Sequence, residues 1–212
     1  TLHETIKGFH DTKARFERFK EVVANDICNR AKDVQTEIEF VLAREDVANV
    51  LTNCNLPIRV THNDTKLNNV MIDDLTGKGI CVIDLDTIMP GLAMNDFGDS
   101  IRFGASTAAE DEIDLTKVSC DMNLYEIYLR GFLKGCNGKL TSKEMELLPF
   151  GAKVMTFECG MRFLTDYLEG DHYFKIDREE HNLDRCRTQF KLVADMEQKW
   201  DTMQTIVKKY QK

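Results

Sequence analysis

This chain of 212 residues reads as a mostly α-helical fold carrying one small β-hairpin, an α+β arrangement. Three observations carry that expectation. Apolar residues recur at three- and four-residue spacing from Phe16 onward and through most of the chain beyond Asp99. Two short apolar runs, Val70–Ile72 and residues 80–83, flank a turn containing Gly77. Helix-start residues stand where the periodic stretches begin, at Asp11 and at Thr141 or Ser142.

The elements follow in order. Asp11 is placed to cap a helix with Phe16, Phe19, Val22 and Val23 on its inner face, running toward Arg30. Residues 31–43 read as a second helix, with Val34, Ile38, Val41 and Leu42 apolar, and residues 46–53 as a short third. Asn55 and Pro57 break the helix and lead into a short strand at Arg59 and Val60. The hairpin is expected to bring Asn69, at the start of its first strand, close to Asp84, at the end of its second. Extended backbone beyond Asp84 would place Asp86 on the same face. Asp99 and Arg102 read as a helix-start pair and residues 110–116 as a polar linker. Residues 124–133 read as a helix ended by Gly135 and Gly138. A further helix capped at Thr141 or Ser142 carries Glu144 and Glu146 near its start, where the helix dipole favours acids. Long helices are expected over 152–168 and 184–210, the last apolar at Phe190, Val193, Met196, Trp200, Met203 and Val207.

The chemistry concentrates in residues 61–99. His62, Asp64 and Asn69 form H-x-D-x4-N, and the second strand of the hairpin delivers Asp84 and Asp86. Phosphoryl transfer to a hydroxyl requires this set: one carboxylate orients the acceptor and takes its proton, while an Asn and a second carboxylate hold Mg2+ against nucleotide phosphates. Mg2+ prefers oxygen ligands and keeps several waters, so the oxygens of Asn69 and Asp84, with Asp86 nearby, suffice. Asp64 is then free to face the acceptor. Lys66 is within reach of the transferring phosphate as a point charge. His62 belongs to the catalytic loop, where its expected part is to hydrogen-bond backbone and fix the turn. An apolar strand ending in Asp84, Asp86 and Thr87 is also similar to the nucleophile motif of haloacid-dehalogenase phosphatases. That alternative needs parallel strands alternating with helices downstream, where the sequence reads as helix, and it leaves His62, Asp64 and Asn69 without a role.

These residues resemble the aminoglycoside phosphotransferase and choline kinase group, whose fold is protein-kinase-like. H-N-D-T-K-x-N-N, V-I-D-L-D-T-x-M-P-G and D-F-G-D-x-I-R-F-G look most like the N-acetylhexosamine 1-kinases, which use ATP and Mg2+ to phosphorylate the anomeric hydroxyl of the sugar. The resemblance implies that Gly91 and Asp96, five residues apart, buttress the catalytic loop. Asp96-Phe97-Gly98 copies the protein-kinase metal motif in letters only, because it lies too far from the strand that carries Asp84. The resemblance also implies that Arg162 and Tyr173 hold the sugar. Read from spacing alone, Arg162 and Asp166 are an i, i+4 surface ion pair. No phosphate-binding glycine motif occurs; Gly77-Lys78-Gly79 is a turn. The whole chain is therefore expected to be the C-terminal lobe of such a kinase. It would partner an N-terminal nucleotide-clamping lobe of the same polypeptide and be inactive without it.

Composition sets the remaining bounds. A net charge of −8 with no basic stripe argues against nucleic acid as a partner. No apolar run approaches a membrane span, so no membrane partner is expected. Seven Cys are scattered singly with no C-x-x-C, which points to free thiols and a reduced, cytoplasmic setting.

Overall fold

A computed structural model describes residues 2–51 and 54–211. The elements are α1 (Thr12–Asn25), α2 (Gln35–Leu42), α3 (Glu45–Asn49), β1 (Arg59–Thr61), β2 (Val70–Ile72), β3 (Gly79–Val82), β4 (Met89–Gly91), α4 (Ala93–Gly104), α5 (Met122–Cys136), α6 (Ser142–Glu169), α7 (His181–Gln198) and α8 (Trp200–Lys208). The chain is thus mostly helical, with two small antiparallel sheets. One is the expected hairpin β2–β3, and the other pairs β1 with β4. No parallel strand occurs among the described residues, which removes the dehalogenase-like alternative.

Helix α6 is the axis of the molecule. Its first turn is fixed by a capping box: Thr141 Oγ1 accepts from the Glu144 amide, and the Glu144 carboxylate accepts from the Thr141 amide. It is buried around most of its circumference because it serves two cores. On one side Phe157, Met161, Leu164 and Leu168 pack with Phe16 and Phe19 of α1, Val34 just before α2, Ile38 of α2 and Val193 of α7. On the other, Leu148 and Ala152 pack with Met94, Phe97 and Ile101 of α4, Tyr125 and Leu129 of α5, and Met203 and Val207 of α8. A helix that carries apolar residues on more than one face suits a central position. Where α6 crosses α4 the backbones touch. A Cβ on Gly98 would collide with the Gly151 carbonyl, and one on Gly151 would stand 2.6 Å from the Met94 carbonyl oxygen.

The sequence misplaced several boundaries, each for a local reason. Helix α1 is capped by Asp11 as expected (Ala14 N to Asp11 Oδ1, 2.9 Å), but it stops at Asn25 instead of running toward Arg30. Asp26 turns left-handed there, and its side chain accepts from the amides of Arg30 and Ala31. The second expected helix is a 3-10 turn at Ala31–Asp33 followed by α2, and the third is only α3; Thr52 and Asn53 lie outside the described residues. Helix α5 runs through Gly135 and is closed by left-handed Asn137, not by glycine. The helices expected from 141 and over 152–168 are one, because α6 continues through Pro149, a buried residue with packing on both flanks. The single helix expected over 184–210 begins at His181 and breaks at Lys199. The Lys199 ammonium is drawn onto Ser119 Oγ (2.6 Å), the Cys120 carbonyl (2.9 Å) and Asp195 (2.7 Å).

Candidate active site

The loop between β1 and β2 carries His62, Asp64, Lys66 and Asn69, and it is clasped from α4. Asp96 accepts from the amides of His62 (2.9 Å) and Asn63 (2.7 Å), and Thr65 Oγ1 donates to the Asp96 carbonyl (2.6 Å). Burial pushes the Asp96 carboxyl above its ordinary value against the pull of these two amides. Asn63 is buried in the left-handed region at φ 65°, a conformation Asn tolerates. Its side chain donates to the Thr87 carbonyl at 2.9 Å, which joins the loop to the segment after the hairpin. Gly91 faces this turn; a Cβ there would collide with Thr61 Oγ1 and sit 3.0 Å from Asn63 Oδ1.

Within the loop the expected residues come together. Asp64 Oδ2 accepts from Lys66 Nζ (2.9 Å) and Asn69 Nδ2 (2.9 Å), while Asp64 Oδ1 has no donor among the described residues. His62 makes backbone contacts: Nε2 lies 3.1 Å from the Ile83 carbonyl oxygen, and Nδ1 accepts from the Asp64 amide at 3.3 Å. The hairpin joins Asn69 to the end of β3, since the Ile83 amide donates to the Asn69 carbonyl at 2.9 Å, one residue before Asp84. The expectation for Asp86 fails. Asp84 is left-handed (φ 61°, ψ 57°) and a 3-10 turn, Leu85–Thr87, follows, so extended backbone ends at Asp84 and side-chain alternation no longer relates the two carboxylates.

The donor set suits a hard divalent cation. Lys66 is committed to Asp64, and Asn69 spends its amide nitrogen on Asp64, leaving its oxygen without a donor among the described residues. The Asp84 and Asp86 carboxylates are exposed and have no cationic partner there. No group of three or more His, Cys, Asp and Glu side chains among the described residues is arranged to hold a metal. One amide oxygen and one or two carboxylates, completed by water, are what Mg2+ takes.

A cavity of about 400 Å³ opens beside Asp64 and Lys66 and reaches Arg162 and Tyr173. Ligand sites commonly have this size. The i, i+4 ion pair that spacing alone suggests between Arg162 and Asp166 is not present among the described residues. Asp166 is buried and accepts from the amides of His172 (3.0 Å), Tyr173 (2.7 Å) and Phe174 (3.0 Å) and from Asn182 Nδ2 (2.8 Å), so it shapes the loop that carries Tyr173. Arg162 instead donates to Tyr173 Oη at 3.4 Å, and its guanidinium lies 5.8, 5.6 and 5.3 Å from the rings of Phe9, Tyr173 and Phe174.

Sequence reasoning missed several groups in this cavity. Asp99 and Arg102 are a buried ion pair in the second half of α4, not a helix-start pair, and Arg102, in the last turn, reaches on to Glu110 in what reads as linker. Arg185 of α7 lies 5.5 Å from the Phe163 ring and, like Arg162, has no carboxylate partner among the described residues. His10 and Glu158 meet at the floor, 2.9 Å apart. A lone acid in the apolar run of α6, four residues before Arg162, was the only available signal. Among the described residues no helix is long and apolar enough to cross a membrane. Residues 1–130, which include the loop from His62 to Asn69, the hairpin and α4, match the model of the phosphotransferase enzyme family, APH, and the chain belongs to that family of kinase-type phosphotransferases.

Proposed function

We propose that this chain carries the catalytic base and the acceptor site of an ATP- and Mg2+-dependent sugar kinase that phosphorylates the anomeric hydroxyl of an N-acetylhexosamine. The observation that carries the reading is the charge balance of the cavity. Asp64 stands at one end and is paired with Lys66, while Arg162 and Arg185 present guanidinium groups without carboxylate partners among the described residues. Such a site repels a polyamine and suits an oxygen-rich acceptor that takes guanidinium hydrogen bonds, which sets the sugar above an aminoglycoside.

In this reading Asp64 Oδ1 accepts the hydroxyl proton as the acceptor oxygen attacks the terminal phosphorus of ATP, with ADP leaving. Asn69 and Lys66 hold the other carboxylate oxygen and fix its direction. Lys66 has further N–H donors for the transferring phosphate. Arg162 and Tyr173 orient the sugar, the planar fork of Arg162 suiting adjacent sugar oxygens. Asn69 and Asp84 would hold Mg2+, which would supply charge neutralisation at the phosphates when bound. The apolar side chains of Met71, Ile72, Ile80, Val82 and Ile83 stand exposed on the hairpin and suit cover by a nucleotide-clamping lobe of the same polypeptide.

The test is an acceptor panel with the full-length protein, ATP and Mg2+, read by 31P NMR. Formation of a sugar 1-phosphate from N-acetylglucosamine or N-acetylgalactosamine is the expected result. Preferential phosphorylation of an aminoglycoside or of choline overturns the acceptor assignment. Nucleotide binding with no transfer to any acceptor points to a non-catalytic module.

A further inference from the structure

We propose that His10 is a positioning residue, an imidazolium clamp that ties α6 to the catalytic loop and holds the peptide next to Asp64. The inference rests on the reading of Asp64 as the base. The segment before α1 places the His10 ring between two elements far apart in sequence. Nε2 lies 2.9 Å from the Asn63 carbonyl oxygen, and Nδ1 lies 2.9 Å from Glu158 Oε1. A backbone carbonyl only accepts, so Nε2 carries a hydrogen. Glu158 is buried in α6, and its carboxylate also accepts from Thr12 Oγ1 at 2.5 Å and faces Arg15 Nε at 3.5 Å. A carboxyl receiving a hydroxyl hydrogen bond and a guanidinium charge stays ionised, so Nδ1 donates as well. Both ring nitrogens being donors, the ring is the cation.

The charges around the ring support that state. Glu158 faces it from α6 and Asp96 and Asp99 from α4, against Arg15 of α1, Arg102 of α4 and Arg162 of α6, with the Asp64–Lys66 pair in the loop. Burial pushes the imidazole down, but Glu158 and the Asn63 carbonyl outweigh it and hold His10 above its ordinary 6.5. Burial likewise pushes the Glu158 carboxyl up, and His10, Arg15 and Thr12 bring it below the ordinary value.

The consequence is local. Asn63 is held at three atoms: its amide by Asp96, its side chain by the Thr87 carbonyl, and its own carbonyl by His10. Asp64 follows directly, so the clamp fixes the direction in which the base leaves the chain. A group that acts by aiming another is worth about 10- to 100-fold in rate when the aim slips by an ångström or less. As pH rises through the raised value of His10 the ring loses the Nδ1 proton, Glu158 loses its buried partner, and the clamp opens.

The experiment uses the full-length protein. 15N NMR of the histidine-labelled enzyme at pH 6.5 should show both His10 ring nitrogens predominantly protonated, assigned by their loss in His10→Gln. In the pH profile of kcat, wild type should lose activity on the alkaline side through the His10 value. His10→Gln should lack that limb and run about 10- to 100-fold slower at neutral pH, with KM for ATP nearly unchanged. Glu158→Gln, which leaves the ring without its counter-charge, should move the limb to lower pH. A predominantly neutral His10 ring at pH 6.5 overturns the proposal. So does a His10→Gln enzyme with wild-type kcat and profile. Transfer to no acceptor by wild type, with the ring protonated, sinks the functional reading instead and leaves the ionic clamp in place.

Discussion

The Asp96 clasp gives the sharpest test of how the catalytic loop is held. Asp96→Asn keeps the shape of the side chain and removes one acceptor. In the native loop both carboxylate oxygens are used, one by each amide, at 2.9 and 2.7 Å from His62 and Asn63. An asparagine can satisfy one of these and turns an NH2 toward the other. The loss is one charge-assisted hydrogen bond, about 1.5–3 kcal/mol, and the remaining amide must find another partner or stay unpaired, so the total is about 2–4 kcal/mol. At roughly 2–4 °C per kcal/mol for a chain of this size, Tm should fall by about 5–15 °C. Catalysis should suffer more than stability suggests, because Asn63 and Asp64 are neighbours. A displacement near 1 Å at Asp64 costs on the order of 100-fold in kcat. Steady-state assays of the full-length protein, well below the variant's Tm, separate the two effects. The variant should show a much reduced kcat with ATP affinity preserved. A kcat within about three-fold of wild type, where a transition-state interaction should cost far more, would refute the clasp as the device that aims Asp64.

Four further outcomes follow from the same geometry. Asp64→Asn should remove on the order of 10²–10⁴-fold of kcat while sugar affinity measured by calorimetry stays within a few-fold, and retained turnover would remove Asp64 from the role of base. Asn69→Ala and Asp84→Ala should each raise the Mg2+ concentration needed for half-maximal rate, the neutral Asn69 position being better rescued by excess Mg2+; indifference to metal in both would end that ligand assignment. Arg162→Lys should raise KM for the sugar about ten-fold or more and leave KM for ATP unchanged, since the ammonium keeps charge without the fork; unchanged sugar kinetics would leave Arg162 as packing against Phe9, Tyr173 and Phe174. Arg59 grips Glu144 at 2.6 and 2.7 Å and holds its carboxyl at about 2 in place of 4.5. A depressed acid stabilises fully above pH 4.5 and loses that contribution as pH falls toward 2, so Glu144→Gln should flatten the acid limb of the stability curve by at most about 3 kcal/mol. An acid limb identical to wild type would contradict this.

The parts of the site legible in sequence are those written within a few residues of each other. H-x-D-x4-N, the hairpin around Gly77, the Asp11 cap and the Thr141 capping box all bond over short separations, and all appear where the residues announce them. Asp96 stood in reach only because the family resemblance singled it out. The His10–Glu158 pair spans 148 positions and Arg59–Glu144 spans 85, and nothing in either local stretch announces a partner that distant. Arg162 and Asp166 show the opposite error. Their i, i+4 spacing is a real helical neighbourhood, but three loop amides and Asn182 compete for the carboxylate and win, because buried amides must be paired. Helix ends failed for a related reason. Lys199 leaves the helical path to satisfy Asp195 and the Cys120 carbonyl, a demand set by the loop before α5.

The bare contact between Gly98 and Gly151 limits how this enzyme can change its taste. Packed helices slide past one another by re-fitting the side chains between them, and beside these two glycines only Met94 and Met155 stand close enough to re-fit. Helix α4 brings the Asp96 clasp, α6 brings Glu158 and Arg162, and their separation is set by main chain against main chain. Moving these two walls apart or together would break or overlap that main-chain contact. A change in the size of the ligand is then met more readily by side chains that line the cavity away from this crossing, such as Phe9, Tyr173 and Arg185.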